Sequence, residues 1–213
     1  MKPDLRRGSC LEILPALADE CADLVLTSPP YCNRYDYTRT YALELVYLGT
    51  SDAQIKRLRQ AMLSCTVENT HKQVELDGIY SRVGRGGDRR RFAEVFSGQR
   101  ALFEVLAALR RGRLNNPNIP RMVENYFLEM CFVIGEFARV LRRGGRAVMV
   151  NDNVRYAGEE VPVDLILCDF AQRLGLRVEH IWTLRRGKGN SSQQMGAHGR
   201  RELRKCVYVW RKP

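Results

Sequence analysis

Apolar and polar residues along this chain fall into blocks that switch between strand and helix periods. Ala22-Asp23-Leu24-Val25-Leu26-Thr27 is a short apolar run bounded by turn residues, and it predicts a buried strand. The next residues, Ser28-Pro29-Pro30-Tyr31, end it, because proline neither donates to a sheet ladder nor continues a helix. Residues 11–18 predict a short helix interrupted by Pro15. Residues 51–64 and 90–111 predict Arg-rich helices, with a loop at 83–88 between them and a second break at 115–120. From about 122 to 142, Tyr126, Phe127, Met130, Val133, Ile134, Phe137 and Leu141 recur at helical spacing. Gly144-Gly145 is expected to stop this helix, the longest of the chain. Residues 146–151 predict the next buried strand, and 161–174 a helix ended by Gly175. Residues 177–184 and 205–210 predict two final strands joined by a basic, glycine-rich loop, 185–204.

That order of strands and helices predicts one domain, 1–213, built on an open α/β sheet with helices on both faces. Residues 50–121 form a helical basic insertion within it. Ligands of such sheets bind beyond the carboxyl ends of the strands. Thr27 to Tyr31 occupy that position for the first strand, and Asn151, Asp152 and Asn153 occupy it for the second.

Charge narrows the class of partner. Lys and Arg number 35 against 24 Asp and Glu, a net +11, which attracts polyanions. A solvated, solubilising surface explains the same number equally well. Arg89, Arg90, Arg91, Arg110, Arg111 and Arg113 lie in the insertion. Arg185, Arg186, Lys188, Arg200, Arg201, Arg204 and Lys205 flank or fill the late loop and are the better candidates for phosphate contacts. Gln193, Gln194 and His198 read as ordinary polar loop residues. No apolar run reaches the roughly 20 residues that span a bilayer, and the N-terminus lacks the pattern of a secretion signal, so a cytoplasmic protein is expected. Seven scattered cysteines without a Cys-x-x-Cys, and three histidines, argue against both a zinc site and a disulfide framework; no metal is expected.

The sharpest chemical signal is Ser28-Pro29-Pro30-Tyr31. The lone pair of a base amino group is delocalised into the ring. Acceptors placed on its two N–H groups shift the nitrogen toward a nucleophilic form. A serine oxygen and a proline-flanked carbonyl are such acceptors, and the prolines fix them in advance. An adjacent aromatic ring stacks on a base pulled out of a duplex, the role that suits Tyr31. Positioning then supplies most of the rate, since an activated methyl donor needs no covalent enzyme intermediate.

Thr27-Ser28-Pro29-Pro30-Tyr31 after an apolar strand resembles the catalytic motif of the DNA amino-methyltransferases, and Ser at its first essential position resembles the cytosine-N4 enzymes. The resemblance extends through 8–14 and 23–26, through 33–41, through Arg139 to Gly145, and to the final Val207-Tyr208-Val209-Trp210; it covers 4–50 and 122–213. It implies a Rossmann-like sheet that uses S-adenosyl-L-methionine and acts on double-stranded DNA after base flipping. Ser28, Pro29, Pro30 and Tyr31 would then be catalytic, with Thr27, Ser9, Tyr35 and Asp36 beside the cofactor. Tyr37, Arg39 and Tyr41 would line the base pocket or close over the cofactor, and core packing explains Tyr41 as readily.

One departure from the family is large. Its members hold the cofactor with a Phe-x-Gly-x-Gly-like turn after a strand. Gly84-Arg85-Gly86-Gly87 follows no apolar strand, and Gly187-Lys188-Gly189 belongs to the late loop. Ser9 also stands where the family usually has an acidic residue. The resemblance therefore implies an incomplete sheet, the catalytic half, completed by a second polypeptide that carries the glycine-rich turn. That polypeptide would dock beside strand 22–27 and would leave apolar surface exposed on this chain. Three other readings stay open: an adenine-N6 DNA methyltransferase, an RNA amino-methyltransferase, and a non-catalytic DNA-binding subunit or degenerate relative.

Overall fold

The computed structural model describes residues 3–184 and 202–213. Helix α1 (Cys10–Ile13) runs into a 3-10 turn (Leu14–Ala16) and is followed by strand β1 (Ala22–Thr27). Six helices come next: α2 (Tyr37–Thr40), α3 (Ala42–Tyr47), α4 (Asp52–Ala61), α5 (Gln73–Arg82), α6 (Gly86–Ser97) and α7 (Arg100–Arg111). The long α8 (Ile119–Val140) leads directly into β2 (Leu141–Asp152). A small hairpin, β3 (Val154–Tyr156) and β4 (Glu159–Val161), precedes α9 (Val163–Arg173), β5 (Arg177–Thr183) and β6 (Lys205–Arg211). No described helix is long and apolar enough to cross a membrane.

The main sheet has the order β1-β2-β6-β5. β1 runs parallel to β2, with Leu26 opposite Val148 and Thr27 opposite Met149. β6 is antiparallel to both of its neighbours. It fills the centre of the sheet, so its Tyr208 and Trp210 are fully buried. Helix α8 packs against the sheet and against α6, α7 and α9, which explains why it is buried on almost every side. The helices of 50–121 therefore share one core with the sheet, to which they contribute Leu76, Tyr80, Phe92, Leu102 and Leu106.

Several local expectations change. β1 is a sheet edge, bonded on one side only among the described strands, and only Val25 packs on the core. Leu24 and Leu26 are 58% and 73% exposed. The expected helix 90–111 is two helices broken at Gly98, because the Gln99 side chain accepts from the Ala101 N–H and starts α7 anew. The expected loop 83–88 gives way to α6 at Gly86. α8 begins earlier than its apolar pattern suggested, with Pro120 in its first turn, where a missing N–H does no harm. Gly144-Gly145 does not stop α8. These residues lie within β2, where the pairing with β1 slips between Ala22 and Leu24, and Gly144 takes a φ of +80°. The β3–β4 hairpin and helices α2, α3 and α5 were not visible in the apolar pattern.

Candidate active site

β1 delivers Ser28 to the carboxyl end of the parallel β1–β2 pair, where its prolines turn the chain. Tyr31 and Tyr35 then face each other in an isolated antiparallel bridge. Within that tight loop the Asn33 N–H donates to the Tyr31 carbonyl at 2.7 Å, and the Tyr35 N–H donates to Asn33 Oδ1 at 3.0 Å. Arg34 sits at φ +69° and donates to Asn115 Oδ1 at 3.0 Å. Cys32 points inward, fully buried, and its carbonyl accepts from the Tyr156 hydroxyl of β3. The unforeseen hairpin thus anchors the loop from below.

Ser28 is held at two atoms. Its Oγ lies 3.3 Å from the Tyr31 hydroxyl, and its carbonyl accepts from the Tyr37 hydroxyl at 2.8 Å. Tyr37 is the first residue of α2, whose N-cap is Asp36. Asp36 Oδ1 accepts from the Arg39 N–H at 3.0 Å and from Thr38 Oγ1 at 2.7 Å. Its Oδ2 accepts from Arg59 Nε of α4 at 3.1 Å. Arg59 also donates to Thr38 Oγ1, so α4 clamps α2 and α2 clamps the turn. A cavity of about 230 Å³ opens here, lined by Ser28, Pro29, Pro30, Tyr31, Tyr35 and Tyr37 among others. Burial pushes the Tyr37 phenol above its ordinary range despite the bond to Ser28, which keeps it a donor at neutral pH. The thiol of buried Cys65 is pushed up to about 12, by burial first and then by Asp36 and Glu129, so it is no nucleophile.

The structure brings together Ser28, Pro29, Pro30, Tyr31, Tyr35 and Asp36 around one cavity. Thr27 is the last residue of β1 and directly precedes them. Ser9 is not among the cavity residues; its Oγ caps α1 by accepting from the Leu11 N–H at 3.3 Å. The Asp36 carboxylate is occupied by groups of this chain at both oxygens. Asn151 and Asn153 are buried: Asn151 donates to the Tyr126 hydroxyl at 2.6 Å, and Asn153 accepts from the Asp164 N–H at 3.0 Å. In the insertion, Arg89 pairs with Asp77, Arg110 with Glu124, and Arg91 donates to the Leu174 carbonyl. Arg185, Arg186, Lys188, Arg200 and Arg201 lie outside the described residues, as do Gln193, Gln194 and His198.

Two features of the site escaped the sequence reading. Tyr37 figured only within an aromatic cluster; its spacing of nine residues from Ser28 gives no hint of their bond. Lys205 figured as one basic residue of many, yet its Nζ sits over the Tyr31 ring, 5.5 Å from the centroid. A third polar group is buried away from the cavity. Glu129 accepts from the Ser64 N–H at 2.8 Å and from the Ser64 hydroxyl, and pairs with Lys72 at 3.1 Å.

No protein-family model matches the chain. It is 53% identical over 210 residues to the Type II methyltransferase M.AvaI, both of Nostoc sp. (strain PCC 7120 / SAG 25.82 / UTEX 2576) and of Anabaena variabilis. It is 46% identical over 214 residues to the Type II methyltransferase M.BsoBI of Geobacillus stearothermophilus. Each match covers 99% of this chain and 42% of the relative, so the chain spans less than half the length of the curated relatives it matches. Among solved structures, TTHA0409 of Thermus thermophilus, provisionally described as a DNA modification methylase, is 16% identical with a TM-score of 0.42. The match covers 97% of this chain and 52% of that one. A complex of TTHA0409 with S-adenosyl-L-methionine gives the same TM-score. Identity of about one half over nearly every residue makes this chain similar to one segment of the Type II methyltransferases M.AvaI and M.BsoBI.

Proposed function

We propose that this chain carries the catalytic turn of a site-specific DNA methyltransferase, which moves a methyl group from S-adenosyl-L-methionine to the exocyclic amino group of a flipped base. The observation that carries the reading is the cavity at the end of β1, walled by Ser28 to Tyr31. Tyr37 occupies the Ser28 carbonyl, which leaves Ser28 Oγ and the Pro29 carbonyl as the acceptors for the amine. Tyr31 supplies the ring face for the base. Those two acceptors would hold the amine facing the bound methyl donor, and its surplus proton would leave to water after transfer. Cytosine N4 is the favoured target, because Ser rather than an acidic residue opens the motif; adenine N6 is the second reading.

The fit to the cofactor is one-sided. When bound, S-adenosyl-L-methionine supplies an activated methyl group. Tyr35 and the residues around Ser28 suit the reacting end of such a molecule. No glycine turn follows an apolar strand among the described residues, Ser9 is a helix cap, and Asp36 is already paired. We therefore assign the rest of the cofactor site to a complementary polypeptide segment, joined to this chain or separate. The exposed Leu24 and Leu26 on the open edge of β1 support this, since a parallel strand is ordinarily covered on both faces.

The test is methyl incorporation into duplex DNA by this chain combined with the remaining segment of an M.AvaI-like enzyme. Ser28→Ala together with Tyr31→Ala should abolish it. An undiminished rate in that variant overturns the assignment. Methylation of structured RNA but not DNA would move the substrate class.

A further inference from the structure

Lys205 stands apart from the other cations of the described chain by its position. It is the first residue of β6 and lies opposite Asp152, the last residue of β2, so it stands at the same end of the sheet as Ser28. Its neighbour Arg204 makes two bonds to the buried carboxylate of Asp164, at 2.7 and 3.2 Å, and is committed to the fold. Lys205 reaches its nearest carboxylate, Asp152, only at 4.0 Å, and its side chain is 46% exposed. Its ammonium rests instead over the Tyr31 ring, within the range of a cation–π contact.

An ammonium over an aromatic face at a cavity mouth marks a place where a π-face and a negative charge are wanted together. A nucleotide extruded from a duplex brings both: a base for the ring, and a phosphodiester that stays at the mouth because the strand continues on either side. We infer that Lys205 and Tyr31 form a subsite for one flipped nucleotide, in which the base takes the ring and the ammonium moves onto the adjoining phosphate. The inference rests on the nucleic-acid reading of the cavity given above. It adds a specific phosphate contact to a site whose other described members are uncharged or internally paired. Lys205 is a binding and positioning residue in this assignment and transfers no proton.

The test is the salt dependence of binding by the 213-residue chain to a duplex with a central 2-aminopurine opposite a mismatch, a base that is easily extruded. Each phosphate contact contributes a slope of about 0.9 in log K against log salt. Lys205→Ala should lower the slope by about that amount, weaken binding roughly 10-fold at low salt, and reduce the 2-aminopurine fluorescence gain. Lys205→Arg should restore the slope. Tyr31→Ala should keep the slope and lose the fluorescence gain. An unchanged slope in Lys205→Ala overturns the subsite while leaving the nucleic-acid reading standing. A wild-type chain with no salt-dependent affinity for the duplex overturns both.

Discussion

Gly135 lies in the buried middle of α8, where replacement by alanine has two opposed effects. In a helix the substitution ordinarily gains about 1 kcal/mol, because alanine surrenders less backbone entropy. Here a Cβ would stand 2.5 Å from Phe92 Cε1 and 2.6 Å from its Cδ1 and Cζ, closer than carbon atoms approach. The ring has little room to retreat. It is 2% exposed and packs edge-on against Tyr80 at 6.0 Å and against Phe132 at 5.6 Å. Relief requires α6 to shift from α8, and such overpacking costs about 1–3 kcal/mol, which the propensity gain of about 1 kcal/mol only partly offsets. Gly135→Ala should therefore destabilise by about 1 kcal/mol net, with a fall in Tm of about 2–4 °C per kcal/mol for a chain of this size. Urea unfolding with an unchanged m-value is the assay. Adding Phe92→Leu should recover part of the loss, a coupling that independent sites would not show. A Gly135→Ala protein as stable as the parent would refute the argument.

Lys72→Met leaves the buried Glu129 carboxylate unpaired and should cost about 3–5 kcal/mol, less in the double variant with Glu129→Gln. Burial already raises the Glu129 pKa above its ordinary 4.5, so the folded state binds more protons than the unfolded one above that pH. Stability from this group thus declines as pH rises from about 4.5, and denaturation midpoints should show the Lys72→Met penalty larger at pH 8 than at pH 5. Among the seven cysteines only Cys21 is exposed, while burial pushes Cys10 up to about 11. Iodoacetamide at pH 8 should label Cys21 first by mass spectrometry, and early labelling of Cys32 or Cys65 would contradict the packing around the turn. Leu24→Lys with Leu26→Lys should leave the circular dichroism of the chain unchanged, because these side chains make no core contact, yet abolish association with the complementary segment in a pull-down.

The order of the main strands and the turn that follows β1 are legible in local signals along the chain. Apolar runs and double prolines are local signals, and local sterics place a turn after Thr27 whatever surrounds it. Single-sequence patterning failed where partners are distant. It took Leu24 and Leu26 for core, because an apolar alternation does not say how many neighbours a strand finds in the sheet. It ended α8 at Gly144-Gly145, since glycine terminates helices and also permits a slip in strand pairing, and only the register with β1 distinguishes the two. Ser9 and Asp36 carry oxygen atoms suited to a ligand, and the fold employs both as helix caps, with Asp36 also held by Arg59 from α4. Tertiary structure alone brought Tyr37 onto the Ser28 carbonyl and Lys205 over Tyr31, because a hydrogen bond and a cation–π contact depend on where separate segments meet in space, which no spacing along the chain encodes.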